Sequence, residues 1–173
     1  LVTTACACAL SVALALWAPP APAVEAPVAA DAAPLPMPRQ ISVYDGLPSN
    51  RINALAEDRK GYLWIATRDG LARYDGVGYR IWRVGDGLRD NHVWTVLVDD
   101  RDRVWVGTQN GGLSVLDACR RDFTHYGRDT HPGIGSDDVW SLAQTPDGAI
   151  WFGTADGGLH RLDGEGQVTR FMP

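Results

Sequence analysis

Acidic residues and a threonine are concentrated in the stretch GYLWIATRDGLARYDG, residues 61–76. Asp69 and Asp75 offer carboxylates, which bind metal ions or transfer protons, and Thr67 adds a hydroxyl group. Each Asp is followed by Gly, and Asp-Gly also favours a tight turn because both residues tolerate positive φ. The stretch therefore fits either a chemical site or a pair of turns.

The same pattern occurs three times, since RVWVGTQNGGLSVLD fills residues 103–117 and AIWFGTADGGLHRLD fills residues 149–163. The repeated tryptophans are 41 and 46 residues apart, a period typical of propellers and solenoids. Repetition of the motif favours a structural role over a chemical one. We therefore predict that Asp69, Asn110 and Asp156 lie in hairpin turns and are not metal ligands. Structural roles are predicted for the Trp and Thr of each copy, namely Trp64, Thr67, Trp105, Thr108, Trp151 and Thr154.

Each repeat has the pattern of four short β-strands, the first of which begin at Ile52, Val93 and Val139. The second strand is apolar at consecutive positions, which indicates that both of its faces are covered. The fourth strand alternates between apolar and polar residues, as an outer strand with one solvated face does. We predict an all-β fold of β-propeller blades, with Trp94 and Trp140 as further wedges between blades.

The predicted boundaries begin with an export signal, because residues 1–17 are apolar and uncharged and Ala21-Pro22-Ala23 is a typical cleavage site. An uncleaved signal anchor is the alternative. Propellers close with about four to eight blades, so three four-stranded antiparallel blades plus a lone N-terminal outer strand make an incomplete propeller. The segments are a signal peptide at 1–23, an Ala/Pro-rich linker at 24–39, an outer strand of a closing blade at 40–44, and blades at 45–83, 84–127 and 128–173.

Composition excludes several classes of function. A net charge of -5 and no clustered basic run argue against nucleic-acid binding. After signal cleavage Cys119 is the one remaining cysteine, which leaves no intramolecular disulfide and no cysteine metal site. The histidines occupy different repeat positions, without a nucleophile motif or paired ligand spacing. We therefore predict no catalytic residues, no metal and no cofactor, and expect that this chain is not an enzyme.

A ligand-binding surface is expected where the repeats differ while the scaffold stays constant. The segments just before the first strands vary, and they enter the innermost strand at one mouth of the central channel, where propellers commonly bind ligands. Solvated loop residues are the simpler alternative for each of them. The predicted ligand-binding residues are Asn50, Arg51, Asn91, His92, Asp137 and Asp138.

The pattern G-x-L-W-[IV]-[GA]-T-x-x-G-L, preceded by an apolar strand and a D-G-L-x-x-N segment, resembles the two-component regulator propeller repeat. The resemblance covers residues 41–172. It implies the periplasmic sensor region of a hybrid histidine kinase or a diguanylate cyclase. In such receptors two seven-bladed propellers and an immunoglobulin-like domain precede a membrane helix and a cytoplasmic output domain.

Three hypotheses for function follow. The first is a periplasmic sensor segment of a receptor anchored in the inner membrane; it binds a small molecule or carbohydrate fragment and passes a conformational change to missing C-terminal blades or a membrane-spanning signalling partner. The second is a fragment of a periplasmic propeller enzyme, such as a lyase or hydrolase, with its catalytic residues on other blades. The third is a structural or interaction protein in which three-blade chains close a ring by oligomerisation.

Overall fold

The computed structural model of the protein describes residues 40–172, so the predicted signal peptide and the predicted linker lie outside the described residues. These residues form three antiparallel four-stranded sheets, one for each repeat, with the strands of every sheet in chain order. Blade 1 contains β1 (Ile52–Glu57), β2 (Leu63–Thr67), β3 (Gly70–Tyr74) and β4 (Tyr79–Trp82). Blade 2 contains β5 (Val93–Val98), β6 (Val104–Thr108), β7 (Leu113–Leu116) and β8 (Phe123–Tyr126). Blade 3 contains β9 (Val139–Gln144), β10 (Ile150–Thr154), β11 (Gly158–Leu162) and β12 (Val168–Phe171).

The inner strands β1, β5 and β9 lie side by side, because β5 contacts both β1 and β9. This arrangement confirms the predicted all-β fold of propeller blades, and the sheets of the described residues do not close into a ring. Each inner strand also carries a β-bulge near its start, opposite the end of the second strand. A bulge redirects a side chain away from the regular alternation of the strand, so one residue of each inner strand is freed from the packing between blades.

Successive blades pack face against face. We call the face that a blade turns toward the preceding blade its leading face, and the opposite face its trailing face. The trailing face of blade 1 presents Trp64, Ala66, Leu71 and Trp82 to the leading face of blade 2, which presents Leu88, Val96, Val104, Val106 and Leu116. The trailing face of blade 2 contributes Trp105 and Leu113 in the same way, against Ile134, Ile150, Phe152 and Leu162 of blade 3.

The repeated tryptophan of the second strand is the central residue of each trailing face. Trp64 and Trp105 are almost fully buried, as predicted for wedges between blades. Their indole N–H groups donate to Asp58 and Asp99 at 3.0 Å and 2.8 Å. Burial, the largest effect, raises the pKa of Asp99, but hydrogen bonds from Trp105 and Arg103 outweigh it and leave that pKa below its usual value. Each buried indole is thus paired with a charged acceptor.

An arginine connects blade 2 to blade 1 at the same point. The guanidinium group of Arg120, in the turn between β7 and β8, lies 3.3 Å from Asp58 and 3.1 Å from Asp102. Its Cζ lies 5.0 Å from the centre of the Trp64 ring. Because Asp58 and Trp64 belong to blade 1, this contact exists only when the two blades pack together.

The segment before β1 differs from the prediction of an outer strand at 40–44. Val43–Asp45 form a 3-10 turn, and the same turn recurs before β5 at Val84–Asp86. In the second copy β4 ends two residues before the turn. The Ser42 N–H donates to Asp45 at 3.0 Å, which favours the turn over an extended strand.

Two blade faces are open within residues 40–172. The leading face of blade 1 exposes Leu55 by 58% and Ile52 by 42%. On the trailing face of blade 3, Phe171 stacks on Trp151 at 5.3 Å. Phe171 and Leu159 are each 44% exposed there, although their counterparts in the first two blades are covered. The open faces are thus repeats of the two surfaces that pack together elsewhere in the molecule.

Gly107 allows blade 3 to approach blade 2 closely. A Cβ atom at this position would lie 2.6 Å from the Thr95 side chain and 2.8 Å from Val139 of blade 3. We expect Gly107→Ala to lower the free energy of unfolding by about 1–3 kcal/mol, because extra volume in a packed interface forces the blades apart. The matched control is Gly164→Ala in an open turn, where a Cβ meets no atom within 4 Å.

Equilibrium unfolding in urea, followed by tryptophan fluorescence, measures both variants. The control is expected to match the parent chain or to be slightly more stable. Equal stability of the Gly107→Ala variant and the control would contradict the packing of blade 3 on blade 2.

Candidate functional site

The residues of the opening stretch stabilise turns. The hydroxyl group of Thr67 donates to the Gly70 carbonyl at 2.8 Å, and Asp69 pairs with Arg83 at 2.9 Å. The Asp75 carboxylate accepts backbone N–H groups of Val77 and Gly78, and those hydrogen bonds lower its pKa. Thr108 and Thr154 form the same bond as Thr67 in their own hairpins. The architectural interpretation therefore accounts for the contacts of these residues.

Two hydroxyl groups in residues 40–172 contact a histidine ring: Thr130 lies 3.0 Å from its neighbour His131 in an exposed loop, and Ser114 lies beside His125. Ser114 and His125 are hydrogen-bonded at 2.9 Å, but Ser114 is fully buried and faces its cross-strand partner in β8. A substrate has no access to that hydroxyl group. Among the described residues no group of three or more His, Cys, Asp or Glu side chains is placed to hold a metal ion.

Three of the predicted ligand-binding residues have one backbone role in common. Asn50 and Asn91 accept the N–H groups of Val43 and Val84, each at 2.9 Å. Asp137 accepts the N–H group of Arg128 at 2.8 Å at the corresponding position of the third repeat. These side chains fix the loop that precedes each inner strand. A direct contact with a ligand stays a prediction for all three.

The structure brings two other predicted residues, Arg51 and His92, into one cleft of about 270 Å³. The cleft lies between blades 1 and 2, beside the starts of β1 and β5. We call the residues that line it the entrance cluster: Arg51, Asn53, Arg68, His92 and Trp94. Asn53 and Trp94 are the bulged residues of their strands, which takes their side chains out of the regular alternation of the strand. The Asn53 amide donates to the Val93 carbonyl of blade 2 at 2.7 Å.

Aromatic side chains extend the entrance cluster toward blade 3. The Trp94 ring lies 4.3 Å from the His92 ring and 5.8 Å from that of Trp140, measured between centroids. The Trp94 indole N–H donates to Asp138 at 2.9 Å, which fixes the orientation of the ring. Asp138 is the equivalent of Arg51 and His92 in the third repeat. It contacts the entrance cluster through its hydrogen bond with Trp94. Trp140 is 60% exposed.

The prediction that Trp140 is a wedge between blades is wrong, because this side chain is 60% exposed, whereas Trp94 does contact blade 3 through Asp138 and Trp140. Neither belongs to an inter-blade cluster, because each occupies the bulged position of its inner strand. Asn53 is the equivalent residue in the first repeat, and Arg68 lies in the turn after β2. The change from Asn to Trp at one repeat position is the signal that could have identified this position as part of the variable surface.

A second polar feature lies inside the interface between blades 2 and 3. His160 is fully buried on the leading face of blade 3, stacked on Phe152 at 4.8 Å. Its Nε2 accepts the Gly135 N–H at 3.1 Å, whereas Nδ1 is buried without a partner. Burial lowers the pKa of His160, and the positive charge of Arg170 lowers it further. The interface therefore favours the neutral imidazole.

Comparison with known proteins adds the family. The family model "Two component regulator propeller" matches residues 46–69, 87–110 and 133–156, one segment in each repeat. These segments are two component regulator propeller repeats. A relative in sequence is histidine kinase P4 of Formosa agariphila, which is 41% identical over 39 residues, or 22% of this chain and 3% of the kinase. The family agrees with the prediction that this chain is not an enzyme.

Solved structures share the blade fold. The extracellular domain of a one component system from B. thetaiotaomicron is 24% identical, with a TM-score of 0.59 over 72% of this chain and 18% of that domain. Catalytically inactive virginiamycin B lyase from Staphylococcus aureus, solved with quinupristin, is 16% identical, with a TM-score of 0.59 over 74% of this chain and 43% of the lyase. The chain thus spans a small part of its relatives. No helix among residues 40–172 is long and apolar enough to cross a membrane.

The buried His160 makes stability depend on pH. A depressed pKa in the folded state means that the unfolded chain binds more protons, so stability falls as pH drops through the unfolded pKa of about 6.5. We expect the free energy of unfolding to decrease from pH 7 to pH 5. His160→Gln, which removes the titrating group, makes this decrease shallower, and His131→Gln in a loop is the control.

Urea unfolding of the three proteins at pH 7, 6 and 5 gives the slope of the free energy of unfolding against pH for each of them. The expected order is a steep decrease for the parent chain and the control and a shallower one for His160→Gln, with some decrease left because burial also lowers the pKa of His125. Identical slopes in all three proteins would show that His160 is not the group that titrates.

Proposed function

We propose that this chain is a sensor segment of an exported, two-component-type signalling protein and that it binds a small ligand at the entrance cluster. The observation that carries the proposal is the cleft between the first blades of a two component regulator propeller. There the inner strands of neighbouring repeats bring variable polar and aromatic side chains together. The sequence relationship to a histidine kinase supports the signalling context.

The position of the cleft suggests how binding is transmitted. Blade 1 contributes Arg51 and Arg68, blade 2 contributes His92 and Trp94, and Asp138 of blade 3 holds the Trp94 ring. A ligand that contacts two blades stabilises one angle between them. Because packed interfaces have discrete arrangements rather than continuous ones, such a ligand shifts the set of blade angles presented to the rest of the protein.

The two open faces support the proposal that this segment packs against further blades. The leading face of blade 1 and the trailing face of blade 3 carry the same residue types that cover each other at the two observed interfaces. Sedimentation velocity of the full 173-residue chain tests this. A discrete soluble oligomer would favour the alternative in which copies of the chain close a ring with each other.

Export into the periplasm is part of the proposal. It rests on the apolar residues 1–17 and the cleavage site that follows them. Cell fractionation in a Gram-negative host, with N-terminal sequencing of the recovered protein, should find a chain cleaved after Ala23. Recovery of the intact chain in the cytoplasm would contradict export.

The lyase likeness gives no comparable support for an enzyme. At 16% identity it reflects the shared fold. The hydroxyl group of Ser114, which lies next to His125, is closed off between blades. The exposed contact between Thr130 and His131 joins two consecutive residues of a loop.

A ligand screen tests the sensing role. The full chain is mixed with a panel of monosaccharides, short oligosaccharides, sugar acids, amino acids and aromatic acids. We expect at least one compound to quench tryptophan fluorescence, because Trp94 lines the cleft and Trp140 lies beside it. The same compound should raise the unfolding temperature. A ligand at 100 times its Kd stabilises a protein by about 2.7 kcal/mol.

Two variants locate the binding. Trp140→Ala should weaken the affinity for the compound, whereas Tyr44→Ala, which removes an aromatic side chain that is 96% exposed in the turn before β1, should not. A panel in which no compound changes either signal, or a hit whose affinity is the same in both variants, would rule out sensing at this cleft.

A further inference from the structure

We propose that the entrance cluster recognises a carboxylate attached to a six-membered ring. This inference rests on the proposed function and adds the chemical class of the ligand. Three features of the cleft carry it: two arginines without partners, an aromatic surface with a fixed orientation, and a buried imidazole nitrogen that lacks a hydrogen bond.

The two arginines give the cleft an excess of unpaired positive charge. No hydrogen bond or ion pair within residues 40–172 involves the guanidinium group of Arg51 or of Arg68. Many other arginines are engaged, for example Arg83 with Asp69 and Arg89 with Asp129. Two like charges in one cleft repel each other, and an anion between them removes that repulsion. The net charge of the chain is -5, so this positive site is a local feature.

The carboxylates near the cleft already have partners. Asp90 accepts the backbone N–H groups of His92 and Asn110, at 3.0 Å and 2.9 Å. Asp138 accepts the Trp94 indole N–H. These bonds leave both guanidinium groups available to a ligand. Because guanidinium matches the two oxygens of a carboxylate with parallel hydrogen bonds, a carboxylate fits this pair of side chains better than a single-atom anion.

The aromatic side chains supply the surface for a ring. Trp94 is held between His92 and Trp140, and its indole N–H is fixed by Asp138, so little ordering is required when a ligand stacks. Trp140 exposes 60% of its surface beside it. A ligand ring covers apolar aromatic area there while its carboxylate reaches the arginines.

His92 provides a further polar contact. Its Nε2 is buried and has no hydrogen-bond partner in the described part of the chain. A buried polar atom without a partner is unfavourable, and rotation of the imidazole ring toward the cleft would let a hydroxyl group of a ligand bond to it. Aromatic acids and sugar acids both combine a ring, a carboxylate and hydroxyl groups, so the experiment separates these two sources.

The test compares acids with their neutral counterparts on the full chain. Isothermal titration calorimetry is run with 4-hydroxybenzoate against 4-hydroxybenzamide, and with galacturonate against galactose. We expect the acid of one pair to bind about tenfold or more tightly than its neutral partner, as charge-assisted hydrogen bonds require. The pair that shows the difference identifies the ring as aromatic or saccharide.

Variants assign the effect to the cluster. Arg51→Gln and Arg68→Gln should each weaken binding of the acid about tenfold and leave any binding of the neutral compound unchanged. Arg101→Gln is the control, because Arg101 is exposed in the turn between β5 and β6, away from the entrance cluster. Trp140→Ala should weaken acid and neutral compounds alike.

Three results would overturn the inference: equal affinity for acid and neutral compounds, acid binding that is unchanged by both arginine variants, or no binding of any of the four probes. In the last two cases the sensing role still stands if the wider panel yields a ligand that requires Trp140. The sensing role is contradicted only when no compound of the wider panel binds in a way that requires Trp140. Failure of the carboxylate inference can therefore be distinguished from failure of the sensing role.

Discussion

The burial of one tryptophan between each pair of neighbouring blades is the interaction on which the structure depends. The indole contributes a large apolar area to the trailing face, and its N–H group would be unsatisfied there without an acceptor. Asp58 and Asp99 supply that acceptor from the turn before the second strand. In the third repeat Thr145 takes this place and accepts the Trp151 N–H at 3.2 Å. The neutral Thr145 hydroxyl group is a weaker acceptor than a carboxylate, and it pairs with Trp151, the tryptophan on the open trailing face of blade 3.

This dependence separates the residues that hold the blades from those that are available for binding. The second strand of blade 2 is buried on both faces, so its sequence is nearly fixed by packing. The bulged residue at the start of each inner strand lies outside that constraint and varies as Asn53, Trp94 and Trp140. The loops before the inner strands vary together with these bulged residues. A repeated scaffold forms a recognition surface from such variable positions, because packing does not fix their side chains.

The sequence predicts the blades well because their signals are local and repeated. The start of every inner strand agrees with the pattern, since turns at Asp-Gly and Asn-Gly and two-sided burial leave few alternatives. The exception is Ile41–Tyr44, where apolar alternation resembles a strand but Ser42 and Asp45 cap a turn. The entrance cluster was only half predicted. Arg51 and His92 precede the strands, whereas the roles of Trp94 and Arg68 depend on a bulge and on contact between blades, which no local pattern encodes.

The central claim is that each sequence repeat is a blade packed on the next, and the contact between Asp58 and Arg120 tests it most directly because these residues are 62 positions apart. A double-mutant cycle with Asp58→Ala, Arg120→Ala and the double variant gives their coupling in the free energy of unfolding. Packing of blade 2 on blade 1 predicts a coupling of about 1–3 kcal/mol. Effects that add to within about 0.5 kcal/mol would contradict the packing of the blades described above.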